Sequence, residues 1–417
     1  MSTGGDEQFS VGCCIAGGGP AGMMLGLLLA RSGVDVVVLE KHGDFLRDFR
    51  GDTIHPSTLE VMHELGLLDR FLQLPHQKIE RLAVSIGDEI LPFADFTHLP
   101  TRCRFVALMP QWHFLDFIAR EAAQIPTFAL RMQAEVTELL HESGDIVGVR
   151  ARGPDGALTI RARLVIGADG RTSLVRERAR LPVDELGAPM DVLWFRLSRR
   201  ADDGVETMGR VVPGRFIVMI DRGDYWQCGF VIPKGASERL RAAGLDAFRA
   251  DMASVVPFTA DRVHEITSWD DVKLLTVQVN RARLWSRPGL LCIGDAAHAM
   301  SPVGGVGINL AIQDAVAAAN LLAAPLRTGR PTPEDLAAVQ RRREWPTRVT
   351  QRLQMLAQEG VVRPVLDRKT PITPPLALRL FGRFPILQRL PARLVGLGVR
   401  PEHVAPGHSS PAHAAGR

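Results

Sequence analysis

One stretch of this chain concentrates the groups needed to act on a flat organic ring. An apolar run, Gly289 to Ile293, leads into Gly294-Asp295-Ala-Ala-His298. Pro302-Val-Gly304-Gly305-Val-Gly307-Ile308-Asn309 follows, ahead of an alanine-rich helix near Ala311 to Ala324. The order is strand, Asp turn, Pro/Gly loop, helix N-terminus. Asp295 is an acceptor suited to sugar-like hydroxyls, and the glycines let backbone approach a ring closely. A helix beginning near Gly307 or Ile308 directs unpaired N–H groups outward. Such a terminus favours negative charge by about 0.3–1 kcal/mol, and ~2 when partly buried. A ring that becomes anionic on reduction needs that environment.

A second set lies near the N-terminus. Val11 to Ala16 reads as a buried strand, followed by Gly17-Gly-Gly19-Pro20-Ala21-Gly22 and a helical run, Met23 to Arg31. A second apolar strand, Val34 to Leu39, ends on Glu40. Strand, G-x-G-x-x-G, helix, strand and an acid about 20 residues on make the dinucleotide fingerprint in its required context. Gly17 permits the tight turn, Gly19 admits a pyrophosphate, and Gly22 lets the helix pack on the sheet. Glu40, with Lys41 beside it, is placed to bind the adenosine ribose. The fingerprint alone does not separate NAD from FAD; the stretch from Gly294 onward points to FAD. A third apolar strand, Arg163 to Ala168, ends at Asp169-Gly170, with Arg171 and Arg176 close behind, so this turn is placed to hold an anionic cofactor.

Together these turns resemble the single-component FAD-dependent monooxygenases, the p-hydroxybenzoate hydroxylase-like aromatic hydroxylases, over residues 10–330. The resemblance implies an α/β fold: a Rossmann-like FAD-binding domain of the glutathione reductase type, an inserted and mostly antiparallel β substrate domain, and C-terminal helices. It implies cofactor contacts at Arg50, Gln111, the Val136 backbone, Asp169, Asp295, Pro302, Gly305, Gly307, Ile308 and Asn309. Arg50, Pro302 and Gly305 are the positions at the reacting end. It also implies the reaction: NADH or NADPH reduces FAD, O2 adds at flavin carbon 4a, and the hydroperoxide delivers one oxygen atom by hydroxylation or epoxidation. No second dinucleotide fingerprint is present, which suits a family whose nicotinamide binds transiently. The nearest alternative is a flavin dehydrogenase or reductase of the geranylgeranyl-reductase type, which would not consume oxygen; a flavin-binding sensor is the alternative from outside enzymes. His55, at a helix entry before Pro56, either faces the site or supports the fold, and His298 is equally open between donor and packing roles.

The elements that position these residues are discontinuous. The 417 residues suffice for two or three packed units. Residues 10–75, 100–180 and 275–330 form the cofactor unit, 76–99 and 181–274 the substrate unit, and 331–417 a helical tail. Strand-like runs at Met190 to Ser198, Arg215 to Asp221 and Tyr225 to Ile232 are separated by turn signals at Pro213-Gly214 and Arg222 to Asp224. Alternation puts Trp226, Cys228 and Phe230 on one face, and with Val218 they are expected to line an apolar pocket. A large, flat aromatic or polyketide-like substrate is expected from that pocket; the resemblance implies tyrosines in the capping sheet of enzymes that take small phenolic acids, and this chain has one tyrosine, Tyr225.

Composition narrows the partners. Hydrophobic content of 46% and charged content of 23% are ordinary for a globular chain. A net charge of +4 and pI near 9.0 help attract an anionic nicotinamide, but no basic–aromatic stripe supports nucleic-acid binding. Cysteines 13, 14, 103, 228 and 292 form no C-x-x-C pair and no metal-ligating pattern, so they read as core residues of a reducing compartment. Residues 1–9 lack the regions of a signal peptide, and no apolar run reaches about 18 residues. The expectation is a cytoplasmic enzyme without a transmembrane segment, with a homodimer left open. The basic, apolar stretch Leu376 to Leu390 reads either as a membrane-surface helix or, preferably, as one packed on the cofactor unit or on a partner subunit.

Overall fold

The computed structural model describes residues 7–46, 53–87, 89–203, 208–368, 370, 374 and 376–409. Strands Leu290–Cys292, Gly156–Gly167, Glu7–Ala16, Val36–Glu40 and Phe128–Met132 lie side by side in that order, all parallel. Cys13 to Ala16 and Val36 to Leu39 are buried, as expected of parallel strands covered on both faces. Helices Pro20–Arg31 and Gly307–Thr328 pack against each other and onto this sheet. The hairpin Glu135–Glu142 and Asp145–Gly153 joins the start of Gly156–Gly167 in antiparallel fashion. This is the Rossmann-like unit.

The two insertions meet in one seven-stranded sheet. Its order is Lys273–Leu275, Met190–Ser198, Tyr225–Pro233, Arg215–Asp221, Met208–Val212, Arg81–Ile86 and Glu89–Asp95. Every neighbouring pair is antiparallel except Met208–Val212 with Arg81–Ile86. Residues 76–99, remote in sequence, thus supply two strands to the unit built mainly from 181–274. Helix Leu245–Val255 covers one face of this sheet through Phe248, Met252 and Val255.

Helix Gly307–Thr328 is long and apolar enough to span a bilayer, but 78% of its most apolar window is buried, so it is the core helix of the cofactor unit. Helix Pro333–Ala357 follows, started by a capping box in which Thr332 and Asp335 exchange hydrogen bonds. Helices Leu376–Arg383 and Pro385–Gly396 run back along Glu89–Asp95. All five cysteines are buried thiols; burial alone pushes Cys14 up to about 12, which removes its nucleophilic form.

Candidate active site

The parallel strands end in register. Ala16 lies opposite Leu39 and Gly167, and Gly167 lies opposite Cys292. The turns that follow therefore leave the same carboxyl edge, where open α/β sheets bind ligands. These turns touch. A Cβ at Gly17 (φ +107°) would lie 2.3 Å from the Ala168 carbonyl oxygen, and one at Gly22 would lie 2.0 Å from that of Gly17. Both obstacles are backbone, so both positions require glycine. A Cβ at Gly19 meets nothing within 4 Å, leaving space for a pyrophosphate at the helix that Pro20 opens. A Cβ at Gly294 would lie 3.1 Å from Ala21 Cβ and 3.3 Å from Ala311 Cβ. Fingerprint helix, Asp turn and core helix thus converge on one glycine.

Glu40 is buried and accepts the Gly18 N–H at 2.9 Å, while its other oxygen meets His42 Nδ1 at 2.6 Å. Lys41 beside it is exposed. Val136 enters next to this corner, because Ala134 N–H donates to the Glu40 carbonyl and Gln133 N–H to that of His42. Asp169 caps its own turn: it accepts Ser173 Oγ at 2.5 Å and Val175 N–H at 3.1 Å. Burial raises its carboxyl above the ordinary range despite these bonds. Arg171 and Arg176 depart from expectation. Arg176 donates to the carbonyls of Ala296 (3.0 Å) and Arg171 (2.8 Å), and Arg171 to that of Thr276 (3.1 Å). Arg176 therefore ties the Asp169 turn to the Asp295 turn, a covalently distant link with no local signature.

Asp295 is half-buried, with no side-chain hydrogen bond or ion pair to the described residues. Beyond it, Gly304 and Gly305 adopt φ of +79° and +63°, and Gly305 N–H closes onto the Pro302 carbonyl at 3.0 Å. Thr53 Oγ1 donates to the Gly305 carbonyl at 3.0 Å and would lie 2.5 Å from a Cβ there. The helix starts at Gly307, as the sequence indicates, and presents the first-turn N–H groups of Gly307 and Ile308. Asn309 is buried. Its Oδ1 accepts His55 N–H (3.3 Å) and Thr58 Oγ1 (2.7 Å), but its Nδ2 has no partner among the described residues. Gln111 opens helix Gln111–Ala122 just after strand Val106–Leu108, which pairs with Thr53–Ile54. Arg50 lies outside the described residues.

Both open histidines are engaged by protein groups, although His298 Nδ1 stays buried without a partner among the described residues. His55 Nδ1 donates to the Val395 carbonyl at 2.7 Å, and burial lowers its pKa to about 4. His298 Nε2 meets Asp314 Oδ2 at 2.6 Å and its ring packs on Trp285. Asp314 also accepts Gly294 N–H at 3.1 Å and Arg343 Nε at 3.0 Å. Burial pushes the Asp314 carboxyl up, but His298 and Arg343 outweigh it and hold it below the ordinary value. A glutamine ladder supports the approach to the loop. Gln351 donates to the carbonyls of Asn280 and Ala299, Gln354 to those of Ser301 and Val303, and Gln358 to Ser301 Oγ. Their i, i+3, i+7 spacing puts all three on one helix face; that spacing was the available signal.

The family description "FAD binding domain" matches residues 10–353. The chain belongs to the FAD binding domain family. It is 32% identical over 383 residues to the 6-methylpretetramide 4-monooxygenase of Streptomyces rimosus, covering 91% of each chain. It is 29% identical over 320 residues to a probable NADH-specific resorcinol 4-hydroxylase of Rhodococcus jostii, covering 75% of this chain and 58% of that relative's length. Among solved structures, the OxyS anhydrotetracycline hydroxylase of Streptomyces rimosus superposes with a TM-score of 0.74 at 23% identity, over 94% of this chain and 77% of the other. This family member is an FAD-dependent monooxygenase. The residues present fit FAD: among the described residues Asp295 is an acceptor without a partner and Asn309 keeps an unpaired buried amide donor, and the backbone at Gly19 is open.

The substrate sheet corrects one expectation. Trp226, Cys228 and Phe230 do not line a pocket. They are 0–3% exposed in the core between the sheet and helix Leu245–Val255. The opposite face carries Trp194, Phe216 and Val218, all half-buried. Trp194 and Phe216 pack in a cluster with Val303 of the flavin loop, and Val218 with Val395. Gly229 makes room for Trp194, since a Cβ there would lie 2.9 Å from its ring. Alternation separates the faces correctly but does not say which one turns inward; the covering helix decides that.

Proposed function

We propose that this monooxygenase uses NADH or NADPH and O2 to hydroxylate or epoxidise an apolar aromatic or polyketide-like substrate, acting in the cytoplasm. The observation that carries this reading is the half-buried face of Trp194, Phe216 and Val218, of which Trp194 and Phe216 share an apolar cluster with Val303 of the flavin loop. Apolar side chains left partly exposed beside a cofactor loop suit a flat, apolar guest. The likeness to enzymes named for polyketide and aromatic compounds supports the same class. FAD, when bound, supplies the redox and oxygen-transfer chemistry.

The chain's own residues bind, orient and exclude water. Gly17, Gly19, Pro20, Ala21, Gly22, Glu40, Lys41 and Val136 are the nucleotide side, with Gln111 and Asp169 flanking. Asp295 is assigned to the ribityl hydroxyls. Pro302, Gly305, Gly307, Ile308 and Asn309 would hold the ring, where the helix N-terminus would favour negative charge; Arg50 is assigned to the same end. The test is oxygen uptake and nicotinamide oxidation by the purified yellow protein with candidate aromatic compounds, followed by mass spectrometry. Substrate-stimulated oxygen uptake with a product one oxygen atom heavier supports the reading. Turnover that proceeds without oxygen overturns it in favour of a reductase.

A further inference from the structure

We infer that the outer face of helices Leu376–Arg383 and Pro385–Gly396 docks on an anionic lipid surface. Helix Pro385–Gly396 turns Gln388, Ala392 and Gly396 inward. A Cβ at Gly396 would lie 2.8 Å from Leu99, so that stripe is fully seated. Ile386 and Leu390, one turn apart on the opposite side, are 67% and 61% exposed, and Leu376 on the preceding helix is 72% exposed. Phe384, between the helices, is also exposed. The stretch therefore packs on the substrate unit, but only by one side.

Charge selects the occupant. Between Asp367 and Glu402 the sequence has no acidic residue. Arg379 is paired with Glu89, whereas Arg383, Arg389 and Arg393 are exposed beside the apolar side chains with no carboxylate partner among the described residues, Arg389 lying 3.4 Å from His98 Nε2. A second copy of this chain seated on the same face would bring these cations against each other. An anionic headgroup layer matches them, taking the leucines to the acyl boundary while the arginines stay at phosphate level. The face adjoins the site: the Val395 carbonyl holds His55, and the Leu397 carbonyl accepts from Gln313 at 3.1 Å. A bilayer-dissolved apolar substrate would thus enter beside the flavin loop.

The test is co-sedimentation of the FAD-loaded full-length chain with vesicles of phosphatidylcholine alone and of phosphatidylcholine with phosphatidylglycerol. The expected result is binding to the mixed vesicles at least roughly tenfold stronger than to the neutral ones, weakened by salt. It should be lost in an Ile386→Glu, Leu390→Glu double variant that keeps its FAD. Arg389→Gln with Arg393→Gln should lose the anionic preference and serves as the second variant. No binding to either vesicle, equal binding to both, or unchanged binding of the variants overturns the proposal. So does sedimentation velocity showing a parent dimer that the Glu variant splits, because a second copy would then be the occupant.

Discussion

At the scale of single residues, the site offers an unsatisfied acceptor, Asp295, and an unsatisfied amide donor, Asn309, among the described residues. Asp295 is half-buried without a partner among the described residues, and Asn309 keeps a buried, unpaired NH2. Native interiors rarely leave such groups idle unless a ligand completes them. Asp295→Ala removes a charge-assisted acceptor worth roughly 1.5–3 kcal/mol, a ten- to hundredfold loss. The expected outcome is a folded protein with weakened FAD retention, read by flavin fluorescence on dilution; unchanged retention would remove the assignment. Much of this was legible in the chain, because glycine and aspartate turns are local. Gly22 is forced by Gly17 five residues back, and the positive φ of Gly17 and Gly294 belongs to their own turns, although Ala168 and Ala21, which crowd them, are distant in sequence. The partnership of His298 with Asp314 was not, although a lone acid in an alanine-rich helix was a visible clue.

At the scale of elements, the flavin loop is held from behind as well as by its own turn. The helix that His55 caps is fastened to Pro385–Gly396 by the His55–Val395 bond. Burial lowers the His55 pKa from 6.5 to about 4, so the native ring stays neutral where the unfolded chain takes up a proton. This contribution is complete above about pH 6.5 and is lost as pH falls toward 4, on the order of 3 kcal/mol in all. Thermal unfolding between pH 7 and 4.5 should show that loss, and His55→Gln should flatten the slope. An equal slope in the variant would assign it elsewhere. Strands and helices were largely readable from periodicity, but their partners were not. Trp226, Cys228 and Phe230 formed a clean apolar stripe, yet Phe248, Met252 and Val255 form another, and the two satisfy each other.

At the scale of the whole molecule, a buried ion network joins the tail to the cofactor unit. Arg343 is inaccessible and bonds Asp314, Glu402 and the Arg400 carbonyl. Arg343→Ala would leave Asp314 to His298 and Gly294 N–H and Glu402 to Arg342, and should still cost up to about 3 kcal/mol, because one buried charge and its bonds are lost. The exposed Arg341–Glu334 pair should matter by under about 1 kcal/mol when broken. Calorimetry on both variants checks the contrast, and comparable Tm values would refute it. The strand order also bears on synthesis. Glu7–Ala16, made first, is flanked by Val36–Glu40 and Gly156–Gly167, and the sheet's far side waits for Leu290–Cys292. The helix that covers Pro20–Arg31 emerges later still. A chain ending before residue 292 therefore lacks both the strand that completes the parallel sheet and the helix that covers Pro20–Arg31, so the apolar flank of that helix stays open to water.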